Sequence, residues 1–460
     1  MIDQKTKLIF CSGVSTVTGA NFLLKINNGK NILIDCGLIQ GESFADEANR
    51  KDFIYKPDSI DCLLVTHAHL DHVGRIPKLI REGFSGMIYS TPETKILAEL
   101  VLNDALGILT KEAEINGLET LYSEDDIKKA FSLWETVEYH KSLEIFDGVS
   151  IFMKDAGHIL GSAMIEVSIK NDRKDTKILF TGDLGNSPSP LLRDTEPIGD
   201  IDYLIIESTY GDRNHESREE STLKLEKIIK DTVDRGGTLV IPTFSVDRTQ
   251  VLLYEINNLV EKGKIPSIPV FLDSPMAIKA TEIYRSSLHL FNDSVKKQID
   301  NGDDIFSFPR LKFTVAQWES KEIEKTSGSK IILAGSGMSH GGRVVGHEKQ
   351  YLPDPKNTIL LVGYQSLGSL GRGLADGVKK VHINNENIHV NAHIDVLHGY
   401  SAHKDSDNMV NLVGGANDRL KRVFVAMGEP KSSMYLAQRI NNEVDTEAIV
   451  PEITKEYLLG

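Results

Sequence analysis

Four side chains able to bind a divalent cation stand within six positions of the chain, as His67, His69, Asp71 and His72 in the stretch VTHAHLDHVGRIPKLI. They follow the apolar run Leu63, Leu64 and Val65, which reads as a buried strand. In an extended segment residues two apart share a side, so His67, His69 and Asp71 face one way. His72 reaches round as the chain turns into a helix, whose first turns suit Pro77 and the run IPKLI. Imidazole nitrogen with carboxylate oxygen is the ligand set of zinc or a similar divalent metal. A lone histidine would be read as a hydrogen-bonding loop residue, but this density of ligand types behind a strand indicates metal binding.

Three other stretches offer similar chemistry. DAGHILGSA places His158 in a glycine-flanked loop between two strand-like runs. In LFTGDLGN, Asp183 follows a buried strand and lies between Gly182 and Gly185, where a carboxylate can leave a sheet edge and bridge two ions. HGYSAHKD offers His398 and His403, and spacing does not choose between them. Asp35, ending NILID beside Cys36 and Gly37, can be a ligand, a turn carboxylate or an acceptor that orients a metal-binding side chain. The last is favoured.

These residues need strands to hold them. KLIFC (7–11), NFLL (21–24) and NILID (31–35) read as short strands separated by Gly, Ser and Asn. CLLVT, GMIYS (86–90), VSIFM (149–153), AMIEVSI (163–169), KILFTG (177–182) and YLIIES (203–208) continue the pattern, with a periodic helix predicted over 93–115. After residue 208 the rhythm becomes strand, helix, strand, helix through TLVIP, PVFLD, KIILAG and TILLVG, which implies a parallel sheet covered by helices in a second domain. The remainder holds HVNAHIDVL, the strand RVFVAMG and a closing helix from Lys431; KNDRKDTK (170–177) reads as a solvated hairpin turn.

The 460 residues suit two or three domains, and 40% apolar with 26% charged residues describes a globular chain rather than a disordered or fibrous one. A net charge of −14 repels a polyanion at long range, so any nucleic-acid role must come from local cations. Cys11, Cys36 and Cys62 are too few and too scattered for a disulfide framework, and no apolar run approaches the roughly 20 residues that span a bilayer. A cytoplasmic protein without membrane association is expected.

Taken together, HAHLDH, GHILGSA, FTGDLG and SAHKD resemble the metallo-β-lactamase superfamily, and specifically its β-CASP nucleases. TVTGA, LIDCGLIQG, ESTYGDR, IPTFSVDRTQ, FLDSPMAIKAT, GSGMSHGGR and VGYQSLGSLGR look like bacterial and archaeal members, relatives of the nuclease subunit of the cleavage and polyadenylation factor. The resemblance covers almost the whole chain. It implies an α/β fold: an αββα sandwich from residues 1–207 and 372–460, with a parallel-sheet α/β β-CASP domain inserted at 208–371 and the active site in the cleft between domains.

The resemblance further implies two zinc ions per chain. His67, His69 and His158 would bind one, Asp71, His72 and His403 the other, and Asp183 would bridge them. A histidine at position 403 goes with RNA-cleaving members, so RNA is the expected substrate and partner, cut endonucleolytically; a homodimer is the expected assembly. A hydroxide bridging two metals about 3.5 to 4 Å apart would attack phosphorus in line, leaving a 5′-phosphate and a 3′-hydroxyl. Asp71, Asp183, Glu207 and His403 form the expected catalytic set, with Glu207 orienting a ligand or proton-transfer partner. For the substrate, Gly335, Ser336, Gly337, Gly341 and Gly342 follow a strand, so their amides can approach a phosphate, with Arg343 adding charge. The other reading of these glycines is tight turns alone. Arg213, Arg248 and Arg372 sit in motifs that resemble nucleic-acid contacts of the family.

Two positions depart from the family pattern. Gly373 stands where eukaryotic members carry a histidine that assists the leaving group, and Met427-Gly428-Glu429 replaces a His-Gly-Glu. A thioether neither shuttles protons nor grips phosphate, so His347 and His340 are the alternatives for that task. Two rival readings remain: a small-molecule or thioester metallo-hydrolase, which would not need the inserted domain, and a catalytically weakened RNA-binding member, which would not need all seven ligands.

Overall fold

The computed structural model describes residues 5–41, 45–171, 174–366, 368–416 and 418–460. Residues 172 and 173 of the expected hairpin turn and residue 367 of the VGYQSLGSLGR motif lie outside them. Met1–Asn214 with His403–Gly460 form one compact unit, and His215–Ala402 a second.

The first unit begins with β1 (Thr6–Ser12), β2 (Asn21–Lys25), β3 (Asn31–Ile34), β4 (Cys62–Leu64), β5 (Met87–Ser90) and β6 (Trp134–Thr136). It continues with β7 (Ser142–Phe146), β8 (Val149–Asp155), β9 (Ala163–Ile169), β10 (Thr176–Phe180) and β11 (Tyr203–Ile206). The second unit carries β12 (Thr238–Pro242), β13 (Val270–Leu272), β14 (Leu311–Phe313), β15 (Lys330–Ala334), β16 (Thr358–Val362), β17 (Lys380–Ile383), β18 (Glu386–His389) and β19 (His393–Leu397). The first unit is completed by β20 (Arg422–Val425), β21 (Glu447–Ile449) and β22 (Glu456–Leu459).

Two seven-stranded sheets make the first unit, in the orders β22-β1-β2-β3-β4-β5-β6 and β21-β20-β11-β10-β9-β8-β7. Their facing sides interleave Leu8, Phe10, Phe22, Ile32, Ile34 and Leu64 with Ile151, Met153, Ile165, Phe180 and Phe424 in one core. Alternation sends Leu33 and Leu63 to the opposite face of the first sheet, where both are fully buried. The helix Pro92–Asn116 lies against β6 and buries Leu97, Val101 and Leu102. Beyond the second sheet, Leu179, Leu204, Ile206 and Val425 meet Met409 and Val413 of the helix Ser406–Gly414 and Leu436 and Ile440 of the helix Pro430–Glu443. The layers are therefore helix, sheet, sheet, helix, the αββα arrangement expected.

The second unit has a six-stranded sheet in the order β14-β13-β15-β12-β16-β19, parallel throughout, as the strand–helix rhythm predicted. Domain lines drawn from the sequence fell at 207/208 and 371/372, whereas the compact units divide at 214/215 and 402/403. β19 accounts for the second shift, since it pairs along its length with β16. The segment after the helix Pro430–Glu443 also differs from expectation. It forms β21 and β22, and β22 pairs antiparallel with β1. EYLL in β22 alternates exposed and buried residues over only four positions, too short a pattern to register. Among the described residues no helix is long and apolar enough to cross a membrane.

Candidate metal centre

Strand ends position the chemistry of the first unit. β3, β4 and β5 run parallel, as do β10, β11 and β20, and open sheets of this kind present functional residues beyond the carboxyl ends of their strands. Asp35 follows β3, Thr66 to His72 follow β4, Asp183 follows β10 and Glu207 follows β11. His158 lies in the connection from β8 to β9, where the Ser162 hydroxyl accepts from its backbone N–H at 3.0 Å. Gly185 lets the Asp183 loop close on this connection, because a Cβ there would overlap the Gly157 carbonyl. His403 is brought alongside by a bridge to Gly185, and the Lys404 N–H donates to the Leu184 carbonyl at 2.8 Å.

The side chains converge in three overlapping sets: His67, His69, His158 and Asp183; Asp71, His72 and Asp183; and Asp183, Glu207 and His403. In the first, His69 Nδ1 lies 3.2 Å from both His67 Nε2 and His158 Nε2. Asp183 Oδ2 stands 3.5 Å from each of those Nε2 atoms, while its Oδ1 faces His72 Nε2 at 3.3 Å. One carboxylate thus shows a different oxygen to each histidine set. His403 Nδ1 is 3.9 Å from Asp183 Oδ2 and 3.1 Å from Glu207 Oε2. Its set is completed by Glu207 rather than by Asp71 and His72.

Partners behind the rings set which nitrogens carry lone pairs. Asp35 Oδ2 accepts from the Thr66 hydroxyl and from His72 Nδ1, both at 2.7 Å, and its Oδ1 accepts from the Thr66 amide at 2.8 Å. The Thr66 proton being spent on Asp35, its Oγ1 accepts from His67 Nδ1 at 3.1 Å. Both rings then turn Nε2 toward Asp183. Asp35 therefore accepts from both Thr66 and the His72 ring, the contacts that an orienting acceptor would make. Thr66 and Ser162 were not singled out in the sequence, although each lies inside a motif stretch beside a histidine. His403 leans on Glu207, whose Oε1 also accepts from the Leu184 N–H at 2.6 Å.

Burial, then the neighbouring His72, holds His67 well below the ordinary imidazole value, and burial with His67 does the same to His69. Both rings are neutral and available as donors to a cation. Burial pushes Asp71 up to about 6. Burial opposes charge on His72 as well, but the carboxylates of Asp183 and Asp35 outweigh it and raise that ring well above its usual value. Asp183 is held well below the carboxylate range, since His72 and His67 overcome its burial. Burial resists charge on His403, yet Glu207 and then Asp183 lift it to about 9.

A divalent cation fits these groups. His69 Nδ1, 3.2 Å from two other imidazole nitrogens and beside a buried carboxylate, belongs to the donor set that a divalent cation takes. The buried His72 Nε2 makes no hydrogen bond among the described residues.

The remaining expected residues scatter more widely. Arg213, in the first unit, is paired with Asp212 at 2.8 Å and lies over the Tyr210 ring at 5.8 Å. In the second unit Arg248 is buried at the start of the helix Arg248–Glu261. Ser336, Gly341 and Gly342 form the turn after β15, where the Ser336 hydroxyl accepts from the His340 N–H at 3.0 Å. Arg343 donates to Asp273 Oδ1 at 2.7 Å and to the Thr314 and Val315 carbonyls at 2.9 and 2.6 Å, so most of its donors are already engaged. Arg372 pairs with Asp376 at 3.0 Å, and His398 is exposed in the second unit. His347 gives its Nε2 to Asp273 at 2.7 Å. Met427 is buried in the core between the sheets of the first unit, its thioether against Gly13.

A helix–sheet–sheet–helix unit whose strand ends gather histidines and aspartates around a shared carboxylate defines a metal-dependent hydrolase. Comparison with known proteins narrows this. Residues 16–235 match the metallo-beta-lactamase superfamily, 249–374 the Beta-Casp domain, and 387–451 the Zn-dependent metallo-hydrolase RNA specificity domain. A ribonuclease of Thermus thermophilus is 33% identical over 422 residues, 92% of this chain and 93% of that protein. The transcription termination factor FttA of Methanosarcina mazei is 30% identical over 459 residues, 97% of this chain and 70% of its own. An RNase J-like protein of Methanocaldococcus jannaschii is 32% identical over 431 residues, 91% and 92% respectively. The chain belongs to the β-CASP branch of the metallo-β-lactamase superfamily, a family of hydrolases that depend on divalent metal.

Proposed function

We propose that the protein is a two-zinc endoribonuclease. The observation that carries the metal count is Asp183, which offers Oδ2 to His67 and His158 and Oδ1 to His72, as a carboxylate shared by two cations would. His67, His69, His158 and Asp183 would hold one ion; Asp71, His72 and Asp183, with His403, would hold the other. Bound there, the pair would supply Lewis-acid polarisation of a phosphoryl oxygen and lower the pKa of water toward 7. The protein's own groups do the rest. Asp35 and Thr66 keep the His72 and His67 rings turned inward, and Glu207 holds His403 Nδ1, so that a proton on this ring is retained beside the cluster. RNA as substrate is supported by the ribonuclease and RNase J-like relatives and by the match to an RNA specificity domain. Of the expected cationic contacts, Arg213 has the strongest support, being exposed and near the cluster through Tyr210.

Zinc-loaded protein incubated with matched RNA and DNA oligonucleotides, with and without chelator and beside His69→Ala, tests this. Internal cleavage of RNA that disappears on chelation and in the variant is the expected result, with two zinc ions per chain by metal analysis. Cleavage surviving both treatments would remove the metal mechanism, and equal cleavage of DNA would remove the preference for RNA.

A further inference from the structure

The helix Pro430–Glu443 divides sharply into two faces. Ser432, Ser433, Leu436, Ala437 and Ile440 are buried, whereas Lys431, Met434 and Tyr435, spaced three and four apart and so on one side, face solvent. Met434 is 60% and Tyr435 47% exposed. Single exposed apolar residues are ordinary. These two adjoin a cation and a direct route to the metal centre. The Ser432 hydroxyl donates to the Ser208 carbonyl at 2.6 Å, and the Ser433 and Ser208 hydroxyls share a 2.8 Å hydrogen bond. Ser208 directly follows Glu207, so the first turn of the helix is bolted to the strand end that braces His403.

A second line of contacts runs the same way. The Tyr210 ring lies 6.3 Å from the His403 ring, and Arg213 lies over Tyr210. Asp212 then joins Arg213 Nε at 2.8 Å to Lys431 Nζ at 3.2 Å. The Asp212 carboxylate orients two exposed cations and uses a single donor of each, leaving the others for phosphate oxygens. Because the chain carries −14 overall, long-range attraction cannot hold a polyanion, and a local pair of cations beside a flat aromatic ring is what a single strand requires. The same helix falls inside the stretch that matches an RNA specificity domain.

We propose that the exposed face of the helix Pro430–Glu443 is a track for the RNA strand flanking the scissile phosphate, with Arg213 and Lys431 on phosphates and Tyr435 stacked on a base. The proposal rests on the ribonuclease reading above and adds Lys431, Met434 and Tyr435 to it.

Binding of an unstructured, fluorescein-labelled RNA of about 20 nucleotides with phosphorothioate linkages, which slow cleavage, to the metal-loaded full chain, followed by anisotropy across a potassium chloride series, tests it. Tyr435→Ala should weaken binding about tenfold and Tyr435→Phe should restore it, since the ring stacks without its hydroxyl. Lys431→Ala should flatten the dependence of log affinity on log salt by about 0.7. The defect of Tyr435→Ala should grow with RNA length, which a role in helix packing would not produce. Variants that match the wild type in affinity and salt slope, or a loss equal on dinucleotide and long RNA, would overturn the track while leaving the ribonuclease reading intact. Wild-type protein that neither binds nor cleaves RNA would remove both.

Discussion

At the scale of single residues, Asp35 acts on the candidate centre from behind the histidine rings. It accepts hydrogen bonds from Thr66 and His72, and Thr66 in turn accepts one from His67, so one carboxylate sets two ring orientations. Removing such a partner costs metal affinity about 10- to 100-fold. Asp35→Ala should lower zinc affinity by that order, measured by chelator competition, with the ligands themselves intact; wild-type affinity would refute the role. Affinity should also rise with pH in the unaltered protein. His72, raised well above its usual value, would have to lose a proton before its Nε2 could bind a cation, and proton competition weakens as pH rises. Met427 is equally telling. Its burial in the core of the first unit gives the thioether a packing role and no exposure to a leaving group.

At the scale of elements, the centre depends on loops that leave parallel strands and approach each other to backbone distance. Gly37, just after β3, packs against the carbonyl of Asp71, and a Cβ there would overlap it. The Gly37 N–H also donates to the Ala20 carbonyl at 2.9 Å, and the Ala20 N–H to the Asp71 carbonyl at 2.8 Å, tying three segments together. Gly37→Ala should therefore push the ligand loop aside, lowering stability by about 1–3 kcal/mol, in line with overpacking elsewhere, and zinc content with it. A variant with wild-type melting temperature and two zinc ions would show that the loop tolerates the shift.

At the scale of the whole molecule, the expected ligands come from stretches as far apart as His67 and His403, and the first unit is built from both ends of the described chain. A cation joining them binds the folded unit and not the open chain, so it stabilises by mass action. Chelation should lower the melting temperature of the protein, and added zinc should restore it; at free zinc about 1,000 times the dissociation constant the linkage amounts to about 4 kcal/mol per site. An unchanged melting temperature after verified metal removal would refute the stapling role.

The candidate ligand types, their order along the chain and the strands that end beside them were legible in the sequence, because side-chain periodicity is a local property that a few residues reveal. HAHLDH announces its chemistry by itself, whereas GHILGSA, FTGDLG and SAHKD gain theirs only beside it. Their assembly depends on register and loop closure between segments tens or hundreds of residues apart, which no local pattern encodes. Packing thus made Asp183 show its two oxygens to different histidines, set His403 against Glu207 and put His398 in the other unit. It also gave the Arg343 guanidinium to Asp273 and drew β19 to β16, since each of these pairings is settled by what lies opposite and not by what lies next in the chain.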